Sequence, residues 1–394
     1  MRIGLVLPAP PGYSETFFRS KIAGLTNKGY KFILFVGNTR RREVIEGTII
    51  KKAFPVPSNY VLKLVFSFFV IGWLLIVCPK RVMKFYRLQK EDGLSVFPII
   101  QSIYINAHIL PYNLDWLHFG FATMGIKREN VARAINAKSA VSLRGFGISV
   151  YPLKHPGCYD LLWKRTDKVH VISDDLIKKM KITGSGSSPE VHKITPSIKV
   201  SDFIQKQNNG RFHTPVKILS VGRLHWIKGF EYGMEAMARL KNDFKINFHW
   251  TIVGSGVEYE RLKFAAYQLD LENNITFKGN ISHNEVSLEM LSTDIYMQPS
   301  IHEGFCNAVL EAQASGCFCI VTNGGGLNEN VIDKKTGIVV PKRNPAAMAG
   351  TIANAVKMSE EERQIVIEAA GQRIKNEFTI ERQIEKFDKF YSNA

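Results

Sequence analysis

Short apolar runs alternate with longer stretches of mixed character along the whole chain. Runs at residues 3–7, 31–36, 116–118, 140–143 and 169–172, and again at 217–221, 247–253, 275–277, 295–298 and 318–321, carry almost no charge. They read as strands buried on both faces. Between them, apolar residues spaced three and four apart predict helices near 15–28, 121–136, 174–180, 258–267 and 307–315. Three more helical stretches follow Asn344, the last over 377–391. This alternation is the pattern of parallel sheets covered by helices on both faces. At 394 residues the chain exceeds what one hydrophobic core commonly supports. Two α/β domains are expected, with the polar stretch 201–214 (SDFIQKQNNGRFHT) as linker.

One run departs from the rhythm. Residues 64–78 (LVFSFFVIGWLLIVC) hold no charge, and Lys63, Lys80, Arg81, Lys84, Arg87 and Lys90 flank them. As a helix the run measures roughly 22 Å, short of the ~30 Å hydrocarbon layer. Three readings stay open: a membrane span, a buried helix of the first domain, or a helix lying on an anionic membrane surface.

Charge sharpens the third reading. The chain has net charge +17, yet residues 1–200 hold 30 Lys and Arg against 12 Asp and Glu, whereas residues 201–394 hold 22 against 23. The whole excess lies in the half that contains the apolar run. Further basic clusters, Arg40-Arg41-Arg42 and Lys51-Lys52, precede it. Nucleic acid is not expected as a partner: no zinc finger or RNA-binding signature is present, and the basic residues mix with aliphatic runs rather than aromatic platforms. The five cysteines show no metal-ligand or paired spacing, which fits a reducing cytoplasm. The apolar start, residues 3–7, runs straight into Pro8 and is too short for a signal-peptide core.

The most informative chemistry lies at 300–312 (SIHEGFCNAVLEA), where a polar loop carries Glu303 and the following helix carries Glu311. One ligand can meet both carboxylates. The amides of Gly304, Phe305, Cys306 and Asn307 fall at the positive end of that helix, which suits a diphosphate. A second segment, 220–230 (SVGRLHWIKGF), also follows a strand, and its Arg223 and Lys228 supply a planar fork and a point charge for phosphate oxygens. The glycines at 254 and 256 lack the third glycine of a dinucleotide fingerprint.

These two segments, with 252–256 (IVGSG) and 323–329 (NGGGLNE), resemble the group 1, or family 4, retaining glycosyltransferases of the GT-B fold. The resemblance spans most of 215–345. It implies two Rossmann-like domains facing across a cleft: residues 1–200 on the acceptor side, 201–376 binding the nucleotide sugar, and a helix over 377–394 returning to the first domain. It also implies transfer of a sugar from a nucleoside diphosphate sugar to a hydroxyl with retention of configuration. No Asp-x-Asp metal clamp is present, so no metal cofactor is expected. By the resemblance Glu303 touches the donor sugar, Glu311 the ribose hydroxyls, and Arg223, Lys228 and the amides from Gly304 to Asn307 the diphosphate.

The likeness is thinner in the first half. The loop 11–17 (PGYSETF) looks like that of a bacterial polysaccharide subgroup and places Gly12 and Ser14 beside the donor. The segment 115–120 (DWLHFG) offers His118 as a catalytic-side residue. At the next strand end, Arg144-Gly145-Phe146-Gly147 departs from the family's His-Gly-x-Asp and leaves Arg144 as a phosphate or acceptor contact. The expected setting is cytoplasmic, peripheral on the inner membrane face, with a lipid-linked glycan as acceptor. A nucleotide-sugar epimerase and a non-catalytic nucleotide-sugar-binding scaffold are the alternatives.

Overall fold

The structure, a computed structural model, describes all residues except 13–15, 40–44, 46, 185–188, 204–209 and 393–394. It holds two parallel sheets. The first contains β1 (Arg2–Leu7), β2 (Lys31–Val36), β3 (Thr48–Lys52), β4 (Trp116–Phe119), β5 (Lys138–Leu143), β6 (Lys168–Val171) and β7 (Glu190–Lys193), in the order β3-β2-β1-β4-β5-β6-β7. The second contains β8 (Val216–Val221), β9 (Phe248–Val253), β10 (Ile275–Gly279), β11 (Ile295–Gln298), β12 (Phe318–Thr322) and β13 (Ile338–Val340), in the order β10-β9-β8-β11-β12-β13. Strands β4, β6, β11 and β12 are buried at every position, and in β4, β11 and β12 the sequences accordingly show no alternation of apolar and polar residues, whereas β6 buries its alternating Lys168 and His170.

Each sheet reverses its strand order once, between β1 and β4 and between β8 and β11. Such a reversal splays the loops at the carboxyl ends of the two strands, which is where open α/β sheets bind ligands. The loops that follow β8 and β11 contain Arg223, Lys228 and Glu303.

The chain divides into two compact units, one of Met1–Ile194 with Gln383–Ala394, the other of Thr195–Arg382. The final helix, Ile380–Ser392, contributes Phe387, Phe390 and Tyr391 to the apolar core of the first unit, beside Leu5, Phe18 and Trp116. The expected linker 201–214 lies inside the second unit, and its residues 204–209 fall outside the described set.

Several expectations are corrected. The helix expected over 121–136 is broken into a turn at Ala122–Met124 and a short helix at Val131–Ala134. The chain turns between them at Gly125 and at Lys127, whose φ is +64°. Strands β3, β7 and β13 were not anticipated; β3 and β7 are edge strands whose partly exposed sequences, TIIKK and EVHK, carry no apolar run. The apolar run 64–78 is not a buried helix. It belongs to a helix, Tyr60–Val77, whose Asn59 side chain caps the amides of Val61 and Leu62, and most of its large side chains are exposed. Among the described residues no single helix is long and apolar enough to cross a membrane.

Candidate functional site

The site in the second unit is assembled from loops that interlock through backbone contacts. Gly229 has φ +62°, and a Cβ there would stand 2.3 Å from the Pro299 carbonyl oxygen, so the loop after β8 lies directly on the loop after β11. The amide of Ile301 donates to the carbonyl of Ile227 at 2.9 Å and continues that contact. On the other side, Glu303 pairs with Gly325 as an isolated parallel bridge, its amide donating to Gly324 and its carbonyl accepting from Gly326. Gly325, at φ +68°, would bring a Cβ within 2.4 Å of the Glu303 oxygen. The backbone that carries Glu303 is thus held from both sides.

Its side chain is equally fixed. Glu303 Oε1 accepts from Lys228 Nζ at 2.5 Å and from Ser300 Oγ at 2.9 Å, and Ser300 accepts from Gln298 in turn. Both partners of the ion pair are largely enclosed. Burial works against the Lys228 ammonium, but attraction to Glu303 and the bond to it prevail, and its pKa lies above the ordinary lysine value. Arg223 is exposed, and its charge acts on Lys228 in the opposite sense. Two cations thus stand near each other, and only Lys228 is paired with the carboxylate. Among the described residues Arg223 has no hydrogen bond or ion pair to protein, an arrangement that leaves room for an added anion.

The helix Asn307–Ala314 begins directly after this loop. The expectation that four consecutive amides stand open is corrected at Cys306, whose N–H donates to Asn330 Oδ1 at 3.0 Å while Asn330 Nδ2 donates back to the Cys306 carbonyl at 2.9 Å. The amides of Gly304, Phe305, Asn307 and Ala308 have no protein acceptor among the described residues. Phe305 turns its ring inward, 5.8 Å from that of Phe378, so only its backbone is offered to a ligand. The Cys306 thiol is buried, and burial with the nearby Glu303 charge pushes its pKa up to about 12; it is not a nucleophile. Glu311, one turn into the helix and partly buried, has its carboxyl pushed up to about 7 by burial, with no cation paired to it among the described residues.

Asn330 is the residue sequence reasoning missed. It is fully buried and forms a two-bond clamp, and its own carbonyl accepts from Arg373. Its only sequence signal is a polar residue directly before the apolar pair Val331-Ile332.

The first unit places its candidates differently. His118 is corrected: it sits within β4, fully buried, opposite Leu5 and Ala140 of the neighbouring strands. His170 Nε2 lies 2.9 Å from the Ile194 carbonyl, which can only accept, so that nitrogen carries a proton. His170 Nδ1 then accepts from Ser142, Ser142 accepts from His118 Nε2, each at 2.8 Å, and His118 Nδ1 accepts from the Tyr391 hydroxyl at 2.5 Å. One carbonyl fixes every proton in the chain. Both rings are neutral, their pKa values held well below the ordinary histidine value by burial and by the nearby cations. Such a ring is spoken for and does not face a substrate. Lys21, also fully buried, points its ammonium at the Phe387 ring, 4.0 Å from the centroid, without a hydrogen-bond partner among the described residues. Arg144 follows β5 and stacks on Phe17 at 3.8 Å. Gly12 is buried in the loop after β1, and Ser14 lies outside the described residues. Among the described residues no cluster of three His, Cys, Asp or Glu forms a metal-ligand set.

Residues 201–373, which contain the whole constellation around Glu303, match the sequence profile of the family described as glycosyl transferases group 1. This chain is a glycosyltransferase whose residues 201–373 are of the group 1 family. It is 27% identical over 307 residues to the putative colanic acid biosynthesis glycosyltransferase WcaL of Escherichia coli K12, covering 73% of each chain. Among solved structures it resembles the sucrose-phosphate synthase of Thermosynechococcus elongatus, with TM-score 0.76, 18% identity and coverage of 100% of this chain and 98% of that one. It also resembles Anabaena HepE in complex with UDP and glucose, with TM-score 0.72, 14% identity and full coverage of both. The glycosyltransferase has the GT-B fold of two parallel-sheet α/β units.

Proposed function

We propose that this glycosyltransferase moves a sugar from a nucleoside diphosphate sugar to a hydroxyl of a growing, lipid-linked cell-surface polysaccharide or lipopolysaccharide, with retention at the anomeric carbon. It works in the cytoplasm, peripheral to the inner face of the cell membrane. The observation that carries this reading is the joint placement of Glu303, Lys228, the unpartnered Arg223 and the open amides of Asn307 and Ala308 at the strand-order reversal between β8 and β11.

The leaving diphosphate gains charge as the glycosidic bond breaks. Arg223, Lys228 and the helix N-terminus are placed to offset that charge where it develops, with no step assigned to a metal. Glu303 Oε1 is occupied by Lys228 and Ser300, and Oε2 is left to accept from a donor-sugar hydroxyl. Glu311, as a carboxylate, accepts from the ribose hydroxyls. With His118 enclosed, the acceptor proton passes to the departing diphosphate oxygen as the new bond from the acceptor oxygen to the anomeric carbon forms. Support for the substrate class comes from the colanic acid assignment of WcaL and from the UDP and glucose held by HepE.

Calorimetric titration of UDP, GDP and ADP into the protein in excess EDTA tests the reading. One nucleotide should bind, and Arg223→Ala should weaken it. Glu303→Gln should retain nucleotide affinity within about 1 kcal/mol and lose sugar transfer, since its partner is the sugar. No binding by any nucleotide, or full transfer by Glu303→Gln, overturns the assignment.

A further inference from the structure

In the first unit, the helix Tyr60–Val77 buries only a narrow seam. Val70 and Leu74, one turn apart, face the helices Pro79–Glu91 and Val96–Ile105 on which it packs. On the opposite side, at the spacing of one helical face, stand Val61 (65% exposed), Phe68 (77%), Phe69 (68%) and Ile76 (82%). Val96 and Phe97 extend the exposed apolar area onto a second helix. Isolated apolar side chains on a surface need no explanation, but a continuous face of this kind marks an interaction site.

The occupant follows from charge. Between Gly47 and Leu114 the chain carries eight Lys or Arg and only two acids, Glu91 and Asp92. Asp92 is already paired with Arg165 at 2.5 Å. Along Pro79–Glu91, Lys80, Lys84 and Arg87 recur at helical spacing on the exposed side, while Val82 and Phe85 turn inward. A second copy of the chain would bring one strongly positive surface against another. An anionic lipid bilayer satisfies both properties at once, taking the apolar side chains among its acyl chains and the cations among its headgroups. Among the described residues no single helix is long and apolar enough to cross, and the chain bends by 115° between this helix and the next, so its exposed face is offered along a surface.

From this we infer that the helix Tyr60–Val77 lies in the plane of an anionic membrane surface, with its Val61, Phe68, Phe69 and Ile76 face immersed and the Lys80, Lys84 and Arg87 stripe on the lipid phosphates. This deepens the membrane setting of the proposed function and rests on it for biological sense, but not for its test.

Vesicle flotation of the full chain decides it, using phosphatidylcholine alone and an equal mixture with phosphatidylglycerol. The wild type should float with the mixed vesicles and at least roughly tenfold less with the neutral ones. The double variant Phe68→Glu, Phe69→Glu should stay in solution. Lys80→Glu with Arg87→Glu should lower flotation with mixed vesicles to the neutral-vesicle level. Trp73 should be quenched by brominated acyl chains, measured against Trp73→Phe. Ile76→Glu serves as an independent variant should the aromatic pair fail to fold, and nucleotide affinity of the second unit, measured without vesicles, reports both folding and the donor reading separately. Wild-type protein that stays in solution with both vesicles overturns the inference. So does flotation unaffected by Phe68→Glu, Phe69→Glu or by Ile76→Glu, or a dimer in solution that this double variant dissociates.

Discussion

The two units repeat one topology and use its polar residues in opposite ways. Where β8 meets β11, the polar side chains lie beyond the strand ends: Glu303 is past the last residue of β11, Arg223 and Lys228 past that of β8. There they retain spare bonding capacity. Where β1 meets β4, His118 sits inside the strand, opposite Leu5 on one side and Ala140 on the other. Its neighbours on both sides close it off, and every bond it can make is made within the first unit. A few residues of displacement along a strand separate a group poised for a ligand from a group that holds a core together.

The contrast can be broken most directly at Lys228. Lys228→Ala leaves Glu303 without its counter-ion and removes a charge placed for the leaving group, so kcat/KM should fall by roughly 10²–10³-fold, while the first unit keeps its thermal midpoint. Kinetics close to wild type would erase the distinction between the two regions. Asn330→Ala should cost roughly 2–4 kcal/mol in denaturant unfolding of the second unit, because a buried N–H and a buried carbonyl at Cys306 each lose their partner. It should also weaken nucleotide binding by loosening the start of the Asn307–Ala314 helix. Tyr391→Phe should cost about 1–3 kcal/mol, read in the first unit alone, with nucleotide affinity unchanged. A change in affinity instead would return His118 to the site.

The smallest effects are those of pH, and they also differ between the units. His118 and His170 have depressed pKa values in the folded protein, so the unfolded chain binds more protons below about pH 6.5; stability of the first unit should fall as pH drops below that value. Glu311 has a raised pKa of about 7, so the folded second unit binds the extra proton, and its ligand-free stability should fall as pH rises from the ordinary carboxylate range to about 7. If the carboxylate form holds the ribose, affinity for the nucleoside diphosphate sugar that binds, whose diphosphate does not titrate there, should rise up to tenfold per pH unit toward 7. Glu311→Gln should flatten that profile in calorimetry.

How much of this was legible in the sequence depends on where each residue's partners lie. Central strands announced themselves because burial on both faces demands uninterrupted apolar runs, as in 295–298 and 318–321. The edge strands β3 and β7 did not, since an exposed edge tolerates Lys and Glu. Glu303, Arg223 and Lys228 could be read from loops that follow strands, a local signal. Asn330 and Tyr391 could not. The clamp at Cys306 and the hydroxyl on His118 join residues 24 and 273 positions apart, and nothing near either residue points to its partner. The exposed helix was ambiguous for a related reason: an apolar run looks the same whether or not the protein covers it, and only the observed exposure of Phe68 and Ile76 shows that the described residues do not.

The division of the chain has a consequence for its biosynthesis. The first unit is not continuous, since Phe387, Phe390 and Tyr391 of its core are encoded after the whole of the second. A ribosome therefore releases every residue of the second unit before it delivers the Phe387, Phe390 and Tyr391 that complete the first. Of the two units, the one begun earlier is the one completed later. Until then Trp116, His118 and Lys21 lack the helix that covers them, and the nascent chain passes through a stage in which its second unit is ready and its first is still waiting to close.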